Sequence, residues 1–184
     1  MTDDRFVLQF APSKINGLAE RNDYKRDDDA LAAGKAIAGG TYSKDILKVI
    51  VGWKVDVGLY KERVLGLIDT NTEAEIASTL RFASAPRTSE KSAIDVLCRL
   101  HGVGIPVASA ILTMIDPERY TIIDVRALES LGVSRSENSI DYDYYLAYLQ
   151  KCRELAREHK VSLRTLDRAL WQWSKENGKV NSAC

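Results

Sequence analysis

The triplet Gly102-Val103-Gly104, set between two runs of helical apolar spacing, constrains this 184-residue chain more than any other feature. Ala93 to Leu100 carries its apolar residues at helical spacing, and Pro106 opens a second such run that continues to Ile115. Two glycines around one valine dictate a tight bend, because glycine enters positive φ without strain and lets another backbone come close. Pro106 suits a first helical turn, where its missing N–H removes a donor that would be orphaned anyway. Residues 93–115 are therefore expected to form a helix–hairpin–helix. The N–H groups of Gly104 and its neighbours are then left at a helix N-terminus, where they offer donors and partial positive charge to an anion such as phosphate. An ordinary turn between two core helices has the same glycine spacing, so the glycines alone do not decide between the two.

The segment after the bend adds a second constraint. Val107, Ala108, Ile111, Leu112 and Ile115 make a buried helical face, with Ala108, Ser109 and Ala110 slim enough for close packing. Asp116-Pro117 ends that helix. After the connector Glu118-Arg119-Tyr120, the run Thr121-Ile122-Ile123 returns as an extended apolar piece, and Asp124 stands where a helix from Val125 to Leu131 begins. An aspartate there is an N-cap by local pattern. A lone carboxylate in an apolar setting is also a candidate for chemistry, and the two roles do not exclude each other.

The order Leu100, Gly102-Val103-Gly104, Ala108, an apolar helix, an extended piece and Asp124-Val125-Arg126 resembles the helix-hairpin-helix DNA glycosylase superfamily over residues 93–131, about a fifth of the chain. The resemblance is diffuse over the helices from Ser43 to Ser89. It implies an all-α, two-lobed helical bundle formed by the whole chain as one unit, with double-stranded DNA as partner. His101, Gly102, Val103, Gly104 and Arg126 are then the residues that touch DNA, with a K+ or Na+ ion at the backbone carbonyls of Leu100 and Gly102. Asp124 is implied to be the catalytic carboxylate of base excision. Breaking an N-glycosidic bond builds positive charge on the sugar, so one nearby carboxylate stabilises that state and orients or deprotonates water. The target base has to leave the duplex for a pocket. Trp53, Lys54 and Tyr120 are the candidates for that pocket or for the wedge that fills the vacated stack.

Three departures narrow the expectation. Members that also cut the strand carry a lysine in the first turn after the hairpin, where this chain has Ile105-Pro106-Val107. A monofunctional, water-using enzyme is favoured, with Lys54 and Lys48 as the distant amines that offer a Schiff base instead. Only Cys152 and Cys184 come after the motif, and Cys98 lies upstream of the glycine bend, so no four-cysteine iron–sulfur cluster assembles. No cofactor or side-chain metal site is expected. The length leaves no room for the sheet domain that some members carry before the helical core.

Balanced charge, 26 basic against 26 acidic residues, argues against a strongly basic DNA-binding body and requires any patch to be local. Arg87, Lys91, Arg99, Arg126, Arg135, Arg164 and Arg168 are the candidates for one near the hairpin, although for any single one of them a solvated helix face is the commoner reading. Three unpatterned cysteines, no bilayer-length apolar run and an acidic start fit a cytoplasmic monomer. Further helices are predicted at 13–21, 27–38, 44–55, 60–69, 72–83, 140–158 and 162–176, with Ser43 as one cap and Thr72 with Glu75 as a capping box. Tyr142, Tyr144, Tyr145, Tyr148, Trp171 and Trp173 are able to stack on a base, although aromatics at helical spacing more often build a core. Two other functions fit the same residues: a non-catalytic helix-hairpin-helix DNA-binding module in which Asp124 only caps, and a protein-interaction scaffold.

Overall fold

The computed structural model describes residues 5–22, 27–56, 58–134 and 139–179; Arg135 and Cys184 lie outside them. Among the described residues the chain is helical, with no strand. The order is α1 Ile15–Arg21, α2 Asp27–Ala38, α3 Lys44–Lys54, α4 Gly58–Asp69, α5 Glu73–Ala83, α6 Glu90–Leu97, α7 Ile105–Ile115, α8 Val125–Ser130, α9 Tyr142–Glu158 and α10 Leu163–Asn177. Two compact units divide it: Tyr24–Pro117, and Met1–Asp23 with Glu118–Cys184.

Capping chemistry sets most of the boundaries. Ser43, Ser89 and Ser162 each accept an N–H from three residues on, and Thr72 with Glu75 closes a reciprocal box. Asp141 caps Tyr144 N–H at 2.8 Å, so α9 begins at Tyr142 rather than at Ile140. Pro12 opens a short 3-10 turn over Pro12–Lys14 before α1, which therefore starts at Ile15, later than the spacing predicts.

In the unit Tyr24–Pro117, α7 is the centre: every residue from Val107 to Met114 is buried, and α2, α3 and α6 pack on it. Each large apolar side chain so placed contributes about 1.5–3 kcal/mol relative to exposure. The crossing of α2 with α7 depends on Gly34, where a Cβ would lie 2.0 Å from the Met114 carbonyl oxygen and 2.2 Å from its carbon. α4 packs on α3, and α5 on α6.

In the other unit, α10 contacts α1, α8 and α9. Phe6 is fully buried and meets the Tyr144 and Tyr148 rings edge-on at 5.4 and 6.0 Å, while Phe10 stacks on Trp173 at 5.7 Å. Val7 and Gln9 N–H groups donate to the carbonyls of Leu131 and Ser130 at 2.9 and 3.0 Å, tying the N-terminal segment to the end of α8.

Candidate nucleic-acid interface and carboxylate site

The hairpin forms as the glycines require. Gly102 has φ +86°, and a Cβ there would stand 3.0 Å from the Val64 carbonyl oxygen and 3.1 Å from Leu67 Cβ. Both the backbone angle and the pressed contact with α4 exclude a side chain. Gly104 is extended and caps α7 without any side-chain bond, and Pro106 occupies the first turn. Among the described residues, the exposed Gly104 amide and the Ile105 amide have no hydrogen-bond partner. Two donors at an uncapped helix N-terminus are chemically suited to an anion.

The side chain that holds this hairpin, Asn71, carries no signal of that role in the sequence. Asn71 is 6% exposed just after α4; it accepts the His101 N–H at 2.9 Å and donates to the His101 carbonyl at 3.1 Å. Its Nδ2 also reaches the Leu67 and Ile68 carbonyls at 3.2 and 3.0 Å, which the Thr70 and Asn71 N–H groups bond as well at the α4 C-terminus. The peptide groups of His101 are therefore consumed within the fold. Thr70 Oγ1 donates to the Leu67 carbonyl at 2.7 Å, so the His101 Nδ1 at 2.8 Å is the donor to Thr70, which leaves Nε2 as the ring nitrogen for a ligand. Val103 is 6% exposed and contributes packing, not a side-chain contact to a ligand. Of the two carbonyls implied to hold a cation, Leu100 accepts Val103 N–H at 3.1 Å.

Asp124 sits on the other unit. It is 9% exposed, and its Oδ1 accepts Ala127 N–H at 2.8 Å, which makes it the N-cap of α8. The extended piece before it pairs with no strand; α9 holds it instead. Tyr148 donates to the Ile122 carbonyl at 2.7 Å, Tyr145 to the Thr121 carbonyl at 3.3 Å, and Arg153 to the Arg119 carbonyl at 2.6 Å through Nη2. Complete burial pushes both tyrosine hydroxyls well above their ordinary pKa, so they remain donors. Three side chains spaced along one helix thus fix the backbone that presents Asp124.

The aromatic candidates separate by burial. Tyr145 and Tyr148 are fully buried, Tyr144 is 5% and Tyr120 2% exposed; these rings are core and present no face to a base in this conformation. Trp173 is taken by Phe10. Trp53 is half-buried, donates its indole N–H to Asp27 Oδ1 at 3.0 Å, and lines a cleft of about 320 Å³ together with Lys48, Gly52, Lys61 and Leu65. Lys48 is held by both oxygens of Asp69 at 2.8 Å, so this candidate amine is committed to an ion pair. Lys54, next to Trp53, is half-buried on the last turn of α3.

The basic residues expected near the hairpin are divided between the two units. Arg87, Lys91 and Arg99 lie on the hairpin unit, whereas Arg126, Arg164 and Arg168 belong to the unit that carries Asp124. Arg164 is only 13% exposed and is paired with Asp167, so its role is internal. Arg126 forms no ion pair among the described residues; its guanidinium lies over the Trp171 ring.

Burial pushes the Cys98 thiol up to about 11 and the Cys152 thiol higher still, which removes both as thiolate nucleophiles. Among the described residues no helix is long and apolar enough to cross a membrane, and no three His, Cys, Asp or Glu side chains gather to hold a metal ion. Comparison with protein-family models, with curated proteins and with solved structures gives no match to this chain.

Proposed function

We propose that this chain is a DNA glycosylase-like protein of base excision, in which the Gly102 to Gly104 hairpin anchors a DNA strand and Asp124 assists hydrolysis of an N-glycosidic bond. The observation that carries the reading is the pairing of features in one chain: a hairpin that leaves the Gly104 and Ile105 amides open to a phosphate, and a nine-tenths buried aspartate on a segment that three α9 side chains hold by hydrogen bonds. In the reaction water adds to the sugar carbon as the carbon–nitrogen bond breaks, and the base departs with the bonding electrons and takes up a proton. The carboxylate stabilises the cationic sugar and orients the water or accepts its proton. No lysine stands in the first turn of α7, which favours water over an amine as the nucleophile.

A second reading has its own observation. Asp124 Oδ1 is spent on the Ala127 amide, as in any capping aspartate, which fits a non-catalytic helix-hairpin-helix module that binds DNA. Incubating the protein with duplexes bearing uracil, hypoxanthine, alkylated purines, oxidised guanine or modified cytosines, then treating with alkali, separates the two. Strand scission at one of these bases supports the enzyme. Tight binding with no abasic site on any duplex supports the module, and absence of binding removes both.

A further inference from the structure

Arg126 and Lys175 share a single partner, the indole of Trp171. The Arg126 guanidinium carbon and the Lys175 Nζ each lie 5.3 Å from the ring centroid. Packing of α8 on α10 places residue 126 beside 171, and residues 171 and 175 are one helical turn apart. Neither cation makes a close ion pair among the described residues, and the attraction between Lys175 and the Glu176 carboxylate is weaker than the hold of Arg21 on that carboxylate. The acids nearest in sequence are engaged elsewhere: Asp124 by the Ala127 amide, Glu129 by Ser174 and the Lys179 amide, and Glu176 by Arg21 and Gln172. Lys175 is exposed, and Arg126 and Trp171 are half-buried.

A cation resting on an aromatic face is fixed in place without using its hydrogen-bond donors, which for a guanidinium lie in its plane and point away around the edge. Such a group remains able to meet two oxygens of one phosphate. We propose that Arg126 and Lys175, held over Trp171, form a phosphate-binding pair by which the unit carrying Asp124 grips the backbone of a DNA strand. The proposal rests on the DNA-binding reading and adds to it a second, sequence-independent contact outside the hairpin. Two cations resting on one ring offer adjacent positive charge to a polyanion, and the contact reads no base.

The test compares four proteins on one duplex oligonucleotide across a salt series: the parent chain, the Arg126→Gln/Lys175→Gln double variant, Lys175→Gln alone, and Gly104→Ala in the hairpin. Loss of two phosphate contacts makes the slope of log Kobs against log salt shallower by about 1.8, at about 0.9 per phosphate. Lys175→Gln alone, an exposed change that leaves the fold intact, is expected to remove about half of that. A double variant that keeps the parent slope, while Gly104→Ala weakens binding, overturns the proposal and leaves the DNA reading standing. If the parent protein itself does not bind the duplex, the DNA reading fails first. Displacement of the duplex by polyglutamate at equal charge concentration also overturns the proposal, because the pair is then a site for acidic peptides.

Discussion

Asn71 and His101 close a two-bond ring, the side chain of one meeting both peptide groups of the other at 2.9 and 3.1 Å. The Asn71 amide stands in for the edge of a neighbouring strand. It holds the entrance of the hairpin to the end of α4, against which Gly102 is pressed.

Asn71→Ala removes all of these bonds at a buried position and leaves peptide groups unpaired. It is expected to cost about 2–3 kcal/mol in urea unfolding, from one or two unsatisfied buried groups. DNA affinity is expected to fall with it. An affinity unchanged in a folded Asn71→Ala protein contradicts the link between clasp and hairpin.

The two hairpin glycines are expected to part company. At Gly102, φ +86° and neighbours at 3.0–3.3 Å make Gly102→Ala destabilising by about 2 kcal/mol, from left-handed strain and crowding together. Gly104 has ordinary extended angles and its nearest neighbour, a Pro106 carbon, lies 3.9 Å away. Gly104→Ala is expected to cost less than about 1 kcal/mol, the difference between a glycine and an alanine cap. It still weakens DNA binding, since its methyl stands beside the open amides. Thermal unfolding and duplex titration of both variants check the contrast.

Gly34→Ala is expected to cost about 3 kcal/mol or to abolish folding, although alanine is the better helix former by about 1 kcal/mol. The new methyl would meet the Met114 backbone at 2.0 Å, and backbone does not step aside as a flexible side chain does. Equal or higher stability in circular-dichroism melts contradicts the close α2–α7 crossing.

Glu176 carries the acid sensitivity of the α1–α10 contact. The bidentate Arg21 guanidinium, aided by the Gln172 amide, holds its carboxyl at about 2, below the ordinary 4.5. A lowered folded-state pKa means that the stabilisation is complete above 4.5 and is lost as pH falls toward 2. The melting-temperature gap between the parent chain and Glu176→Gln should be constant at neutral pH and close across that window. The pair is solvent-exposed, so the gap is small and shrinks with salt. A gap that widens on acidification contradicts the assignment.

The helical class, most helix boundaries and the hairpin are legible in the sequence because they rest on local chemistry: apolar spacing, the caps at Ser43, Thr72 and Asp124, and the two glycines. Tertiary partners are not. Asn71 reads as a loop residue because its partners, His101 and the end of α4, meet only in the folded unit. Gly34 reads as a mild flaw in a helix because nothing local announces Met114 opposite it. Tyr145, Tyr148 and Tyr120 are able to serve a base pocket or a core by residue type, and burial places them in the core. Arg164 reads as part of a basic surface, whereas the fold turns it inward against Asp167.

Asp124→Asn tests the central claim most directly, because asparagine caps a helix about as well as aspartate and removes only the charge. On a duplex that the parent protein processes, the account predicts loss of base release by about a hundredfold or more, with duplex affinity within about twofold and stability within about 0.5 kcal/mol of the parent. Base release at the parent rate from a folded Asp124→Asn protein would contradict it.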